Sequence, residues 1–150
     1  MEQKRKIIPP VYLLLALIAM TGFYFFLPIY QYLYLPYTLS GIFLIVAGGG
    51  MGAIAVGAFK NAGTPVVPFT KSSAVVTTGF YKYTRNPMYL GMVIGLLGAA
   101  LLFGVIGSLI PIPVFVLIIR LNFIRGEERF MEHLFGQEYL NYKSRVRRWI

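Results

Sequence analysis

No charged residue falls between positions 7 and 59 of this chain, and none between positions 86 and 119. Uncharged runs of that length can enter a hydrocarbon core about 30 Å thick, and at about 1.5 Å per helical residue each is too long for one crossing. Each must therefore fold as two helices joined by a turn, which predicts an all-α membrane helix bundle with four transmembrane helices. Composition agrees: 57% of residues are hydrophobic and 13% charged, with a mean hydropathy of +0.69, too apolar for a soluble domain of this size. The chain reads as a single small integral membrane domain, residues 1–150.

The spacing places the first pair of spans at residues 11–29 and 37–59, a two-helix anchor over residues 1–59. Between them Tyr30, Tyr32, Tyr34 and Tyr37 surround Pro28 and Pro36, as an aromatic belt at a membrane surface would. The second pair falls at residues 87–103 and 109–124, turning at Gly104-Val105-Ile106-Gly107-Ser108 in a tight hairpin. All fourteen Lys and Arg residues lie before the first span, in the 60–86 loop or from Arg120 onward, and neither outer turn carries one. The positive-inside rule then puts that loop and both termini in the cytoplasm. The net charge of +9 flanks spans instead of forming a basic module, so anionic lipid headgroups are the expected partner and nucleic acid is not. No secretory cleavage site follows the first span. The absence of cysteine removes thiol catalysis and thiolate ligation.

Gly48-Gly49-Gly50-Met51-Gly52 lies mid-span without a preceding strand, so it is no nucleotide-binding loop. Gly48/Gly52, Gly49/Ala53/Gly57 and Gly91/Gly95/Ala99 instead form rows of small residues that let helices approach closely. Pro111 and Pro113 should bend the fourth span or delay its start, and they also offer a place where the bundle can open to a lipid. The long polar loop from Lys60 to Thr78 is of a length that usually serves as a lid or binding loop, with Phe69 able to cover a site.

The chemistry concentrates around that loop. Asn86 followed by Pro87 is a helix start, with Asn86 as the cap and Arg85 beside it; open N–H groups, the helix dipole and a guanidinium together make an anion site. Of the five acidic residues, Glu127 and Glu128 are adjacent just beyond the fourth span. Neighbouring helical positions diverge by about 100°, so one faces inward and the other outward, and Gly126 is a natural end for the fourth helix. Arg120, seven residues before Glu127, falls near the same helical face and is a candidate partner for it. His133 is the only histidine and has no further ligand at metal-binding spacing; it reads as an interfacial side chain, and no metal site is expected. Residues 132–150 carry Tyr139, Tyr142, Val146 and Trp149 among Lys143, Arg145, Arg147 and Arg148, the pattern of a C-terminal amphipathic helix lying on the inner membrane surface and capping the site beneath it.

Gly79-x-Tyr81-x-x-x-Arg85-Asn86-Pro87-x-Tyr89, then a short hydrophobic hairpin, Glu127-Glu128 and Phe135-Gly136-x-x-Tyr139-x-x-Tyr142, resemble the isoprenylcysteine carboxyl methyltransferase family and related phospholipid methyltransferases. The resemblance covers residues 76–150, and four spans suit that family's smaller prokaryotic members. It implies S-adenosylmethionine-dependent methyl transfer at the cytoplasmic face to a lipophilic or lipid-modified substrate. The family carries its cofactor on the positions matching Tyr81, Arg85, Asn86, Pro87, Tyr89, Glu127 and Glu128. Many members have His where this chain has Asn86, which can donate a hydrogen bond but cannot act as a base.

The methionine half of that cofactor is a zwitterion, so Arg85 and the helix N-terminus suit its carboxylate, and Glu127 or Glu128 its ammonium. A carboxylate acceptor would want a second cation, for which Arg120 is the candidate; a lipid amine would need a proton acceptor. The expected catalytic residues are thus Arg85, Arg120 and Glu127. NADPH-dependent membrane reductases of the sterol-reductase type carry a similar Arg-(His/Asn)-Pro-x-Tyr element. They tend to have Asn before the Tyr and an acidic residue soon after, where this chain has Met88 and Leu90-Gly91. A non-catalytic lipid-binding protein of the same fold is the third reading.

Overall fold

The computed structural model of the chain describes residues 8–66 and 72–150; Lys4, Arg5, Lys6, Pro68, Phe69, Thr70 and Lys71 lie outside the described residues. The described residues form helices joined by turns, with two isolated bridges, Gln31 to Val105 and Thr84 to Arg147, as the described β-type pairing. The helices are α1 (Pro9–Phe26), α2 (Ser40–Asn61), α3 (Pro87–Phe103), α4 (Pro111–Ile119), α5 (Arg125–Phe135) and α6 (Gln137–Arg145). Among the described residues, three helices are long and apolar enough to cross a membrane: Pro9–Phe26, Tyr37–Asn61 and Ile106–Phe135. Helix α3 is apolar but shorter, at 17 residues. The bundle turns large apolar side chains outward, among them Phe25, Phe26, Phe43 and Val46, a surface that a bilayer solvates and water does not.

Where lipid surrounds every helix, burial gives little drive for helices to associate, and close backbone packing must supply it. Helix α2 meets α3 in this way. A Cβ at Gly41 would fall on the Gly98 carbonyl oxygen, one at Gly48 on that of Gly91, and the reverse substitutions collide likewise. The working row is therefore Gly41/Gly48 against Gly91/Gly98. The expected Gly49/Ala53/Gly57 row is not used inside the chain, since nothing lies within 4 Å of a Cβ built on Gly49 or Gly57. On the other flank of α3, one core joins Ala16 and Met20 of α1, Leu96 and Ala100 of α3, and Phe115, Ile119, Phe123 and Ile124 of the fourth apolar stretch. Helices α3 and α4 are joined by a short turn, as read from the sequence, but α3 packs far more extensively on α2 than on α4. Gly104 makes that turn possible: its φ of 66° ends α3 in the left-handed region, and its carbonyl accepts from the backbone N–H groups of Tyr32 and Leu33 at 2.9 and 3.2 Å.

Two boundaries depart from the sequence reading. Gly126 does not end the fourth helix: α4 passes through a π-helical turn, Arg120–Ile124, directly into α5. A π turn keeps the backbone bonded while rotating everything beyond it, so the glycine is not needed as a stop. Pro111 stands at the first position of α4, a site that lacks an i−4 partner anyway, and so delays the helix without kinking it. The stop comes at Gly136, whose φ of 53° and ψ of −123° suit glycine alone. The expected single amphipathic helix over 132–150 is thus two helices followed by extended chain from Val146 onward, and the ion pair of Lys143 with Glu132 spans the break.

Candidate active site

The element joining the site together is the extended C-terminal strap. Arg147 O accepts from the Arg85 backbone N–H at 2.9 Å, while Arg148 O accepts from Thr84 Oγ1 at 3.2 Å and Asn86 Nδ2 at 2.9 Å. Residues 84–86, immediately before α3, are fixed by these bonds. Asn86 holds the N-cap position, but its side chain caps no helix donor. It is turned to the strap instead, because the Arg148 carbonyl competes for its amide. Thr84 Oγ1 accepts from the Asn86 N–H at 3.2 Å.

Next to this seam is a cleft lined by residues from all of the expected motif elements: Tyr81, Arg85, Asn86, Tyr89, Glu127, Glu128, Tyr139 and Tyr142, together with Phe59, Met88 and Met131. Pro87 is fully buried behind it at the start of α3. Tyr81 is anchored from two sides: its ring meets Phe59 edge-on with centroids 5.5 Å apart, and its carbonyl accepts from the Tyr142 hydroxyl at 2.8 Å. Burial pushes the Tyr81, Tyr139 and Tyr142 hydroxyls above their ordinary range, and for Tyr139 it does so against the opposing pull of Arg85. At neutral pH all three hydroxyls are uncharged, and that of Tyr142 donates to the Tyr81 carbonyl.

The two glutamates have separate partners. Glu127 Oε1 accepts from the Tyr89 hydroxyl at 2.6 Å. Glu128 takes Arg148 in a fork, Nε to Oε1 at 2.8 Å and Nη2 to Oε2 at 2.7 Å. That bond lifts the Arg148 guanidinium above its ordinary value. Arg85 Nη1 also stands 3.2 Å from Glu128 Oε1, with both side chains 8% exposed. This contact is electrostatic only: Arg85 Nε and Nη1 are buried without a hydrogen-bond partner among the described residues. Leaving a buried donor unpaired costs about 1–3 kcal/mol, and more for a charged group, so two on one guanidinium are a costly feature that a bound anion would relieve.

Arg120 is exposed, is not among the residues lining the cleft and makes no described ion pair with Glu127. The π turn separating them breaks the seven-residue spacing that would have aligned them in a regular helix. His133 is exposed on α5. Arg148 is the residue that sequence reasoning missed, counted there among surface cations of a tail helix. Its position beside Trp149, whose side chain packs onto the main core, was the available signal that this end of the chain turns inward.

The phospholipid methyltransferase family profile matches residues 36–138. The protein-S-isoprenylcysteine O-methyltransferase of Saccharomyces cerevisiae is 31% identical over 114 residues, covering 73% of this chain and 46% of that enzyme. The enzyme of the same name in Schizosaccharomyces pombe is 33% identical over 79 residues, 51% of this chain and 32% of its own length. An uncharacterized protein of Haemophilus influenzae is 38% identical over 63 residues, 42% of this chain and all of that protein. The chain thus spans less than half the length of either yeast enzyme, and no solved structure matches it. The matched region runs from the start of α2 into α6 and takes in Arg85, Tyr89 and both glutamates of the cleft; the chain belongs to the phospholipid methyltransferase family.

Proposed function

We propose that this chain is a membrane methyltransferase that uses S-adenosylmethionine and acts at the cytoplasmic face on an acceptor carried by a lipophilic chain. The observation that carries the reading is Arg85, a buried guanidinium with two unbonded nitrogens at the mouth of α3, in a chain of this family. The residues present fit the cofactor's methionine half: Arg85 and the first turn of α3 for its carboxylate, Glu127 for its ammonium, with Asn86, Pro87 and Glu128 holding that arrangement from behind. Glu128 is committed to two guanidiniums, which leaves Glu127 as the carboxylate available to a cation. Tyr81, Phe59 and Met131 offer an aromatic and apolar wall for an uncharged ring.

When bound, the cofactor supplies an electrophilic methyl group on a sulfonium, and no metal is needed to activate it. The chain's own work is to bind, to align and to keep water out, which can provide most of the rate of a displacement between two held groups. Tyr89 fixes the Glu127 carboxylate through the 2.6 Å bond. An amine acceptor has a proton to lose, which Glu127, held by Tyr89 and assigned to the cofactor's ammonium, is not free to take; a prenylcysteine-like carboxylate has none to lose. Arg120, exposed on the π turn, is assigned to the acceptor's anionic headgroup or to lipid phosphate.

In this reading α3 also crosses the membrane, as the third of four spans. Its 17 residues reach about 25 Å, slightly short of the core, and the irregular segments at either end make up the remainder. The cleft lies at the same end of the bundle as the Lys and Arg residues, hence cytoplasmic. Purified protein in detergent should be thermally stabilised by S-adenosylhomocysteine, the demethylated product, and not by NADPH. Stabilisation by NADPH alone would point to reductase chemistry and overturn the proposal.

A further inference from the structure

We propose that Arg148 is a positioning residue for cofactor binding, which keeps the donors of Arg85 open by occupying Glu128. The inference rests on the reading of Arg85 as the anchor of the cofactor's carboxylate. Glu128 lies between two guanidiniums and has two oxygens to give. A carboxylate and a guanidinium left to themselves close into a fork of two parallel bonds, and the pair is then satisfied and closed to a third group. Here Arg148 makes that fork, with bonds of 2.8 and 2.7 Å, and Arg85 does not. At 3.2 Å Arg85 receives the charge of Glu128 but leaves Nε and Nη1 unbonded. Glu128 thereby offsets the cost of burying Arg85 without using the hydrogen-bond capacity that an incoming anion needs.

The backbone makes this division firm. Three bonds from residues 84–86 to the Arg147 and Arg148 carbonyls fix the strap against the loop that carries Arg85. The Arg148 side chain therefore starts from a fixed point beside α5. None of those three bonds uses the guanidinium itself, so its removal leaves the strap attached. Arg148 lies beyond residue 138, where the family match ends.

Without the Arg148 fork, Glu128 would turn both oxygens to Arg85 and compete with the ligand from inside the protein. Binding of S-adenosylhomocysteine, measured by calorimetry on the full chain in detergent, should weaken about 10- to 100-fold in Arg148→Ala, the range expected for charge-assisted bonds. Arg148→Lys, a point charge that satisfies one oxygen at a time, should fall between that variant and wild type. The double variant Arg148→Ala, Glu128→Gln should regain most of the affinity, because a neutral amide does not neutralise Arg85. With active protein, KM for S-adenosylmethionine should rise in Arg148→Ala while kcat at saturation holds. Wild-type affinity in Arg148→Ala overturns the inference, and so does a loss that Glu128→Gln does not reverse, which would mark a merely structural role. Should Arg148→Ala not fold, wild-type affinity in Arg148→Lys overturns it equally. Arg85→Ala is the control: if it binds as wild type, the cofactor reading fails and this inference with it. Loss in Arg85→Ala with none in Arg148→Ala overturns this inference alone.

Discussion

Arg85→Met keeps an unbranched apolar stem and deletes the guanidinium fork. Of the three nitrogens removed, Nε and Nη1 donate to no described group, and Glu128 retains both bonds to Arg148. The folded chain loses the 3.2 Å ion pair, but it also sheds two buried unsatisfied donors that cost about 1–3 kcal/mol each. The two effects oppose each other, so the melting temperature should move by only a few degrees. Binding has no such offset. Two charge-assisted hydrogen bonds of about 1.5–3 kcal/mol each are lost, together about 3–6 kcal/mol, or about 10²- to 10⁴-fold in affinity. Calorimetric titration with S-adenosylhomocysteine, beside a thermal melt of the same preparation, reads both quantities. A dissociation constant within about threefold of wild type would refute the anion-site reasoning. A collapse of the melt that accounts for the lost binding would refute the claim that Arg85 serves the ligand more than the fold.

Three further outcomes follow from the packing. Gly91→Ala places a Cβ against the Gly48 carbonyl and should destabilise the bundle by about 1–3 kcal/mol. Gly49→Ala, with nothing within 4 Å, should be neutral; equal effects in a denaturation series would dismiss the α2–α3 contact. Inserting one alanine between Arg125 and Gly126, in the regular helix α5 beyond the π turn, turns Glu127 by about 100° around the helix axis, away from Tyr89, and should abolish S-adenosylhomocysteine binding with helical content by circular dichroism retained. Unchanged affinity would mean that the register of α5 has no part in aligning the site. A cysteine placed at the exposed Gln137 should be labelled by an impermeant maleimide only from the cytoplasmic side, and labelling from the opposite side would reverse the proposed orientation.

The helices could be read from the sequence because their signals are local. Two uncharged runs, prolines at helix starts and Gly104 between them lie close to α1–α4 as observed. The motif positions Tyr81, Arg85, Asn86, Tyr89, Glu127 and Glu128 all reached one cleft. What was hidden depended on pairings distant in sequence. Asn86 has the residue type of a cap, yet the Arg148 carbonyl, 62 positions later, takes its amide. The alignment of Arg120 with Glu127 assumed an unbroken 3.6-residue period, which the π turn interrupts. The tail follows helical spacing as far as Tyr142, but Gly136 and the partners of Arg147 and Arg148 turn it into a short helix and a strap. No period within the tail itself reports that Glu128 is waiting for one of its cations.

The most direct test of the account is transfer of a labelled methyl group from S-adenosylmethionine by the full chain in membranes. A total membrane-lipid extract and prenylcysteine analogues, offered in parallel, serve as acceptors. The account predicts label in an acceptor that carries a lipid chain, with transfer lost in Arg85→Met protein that remains folded. Cofactor binding without transfer to either class, or transfer undiminished in Arg85→Met, would contradict it.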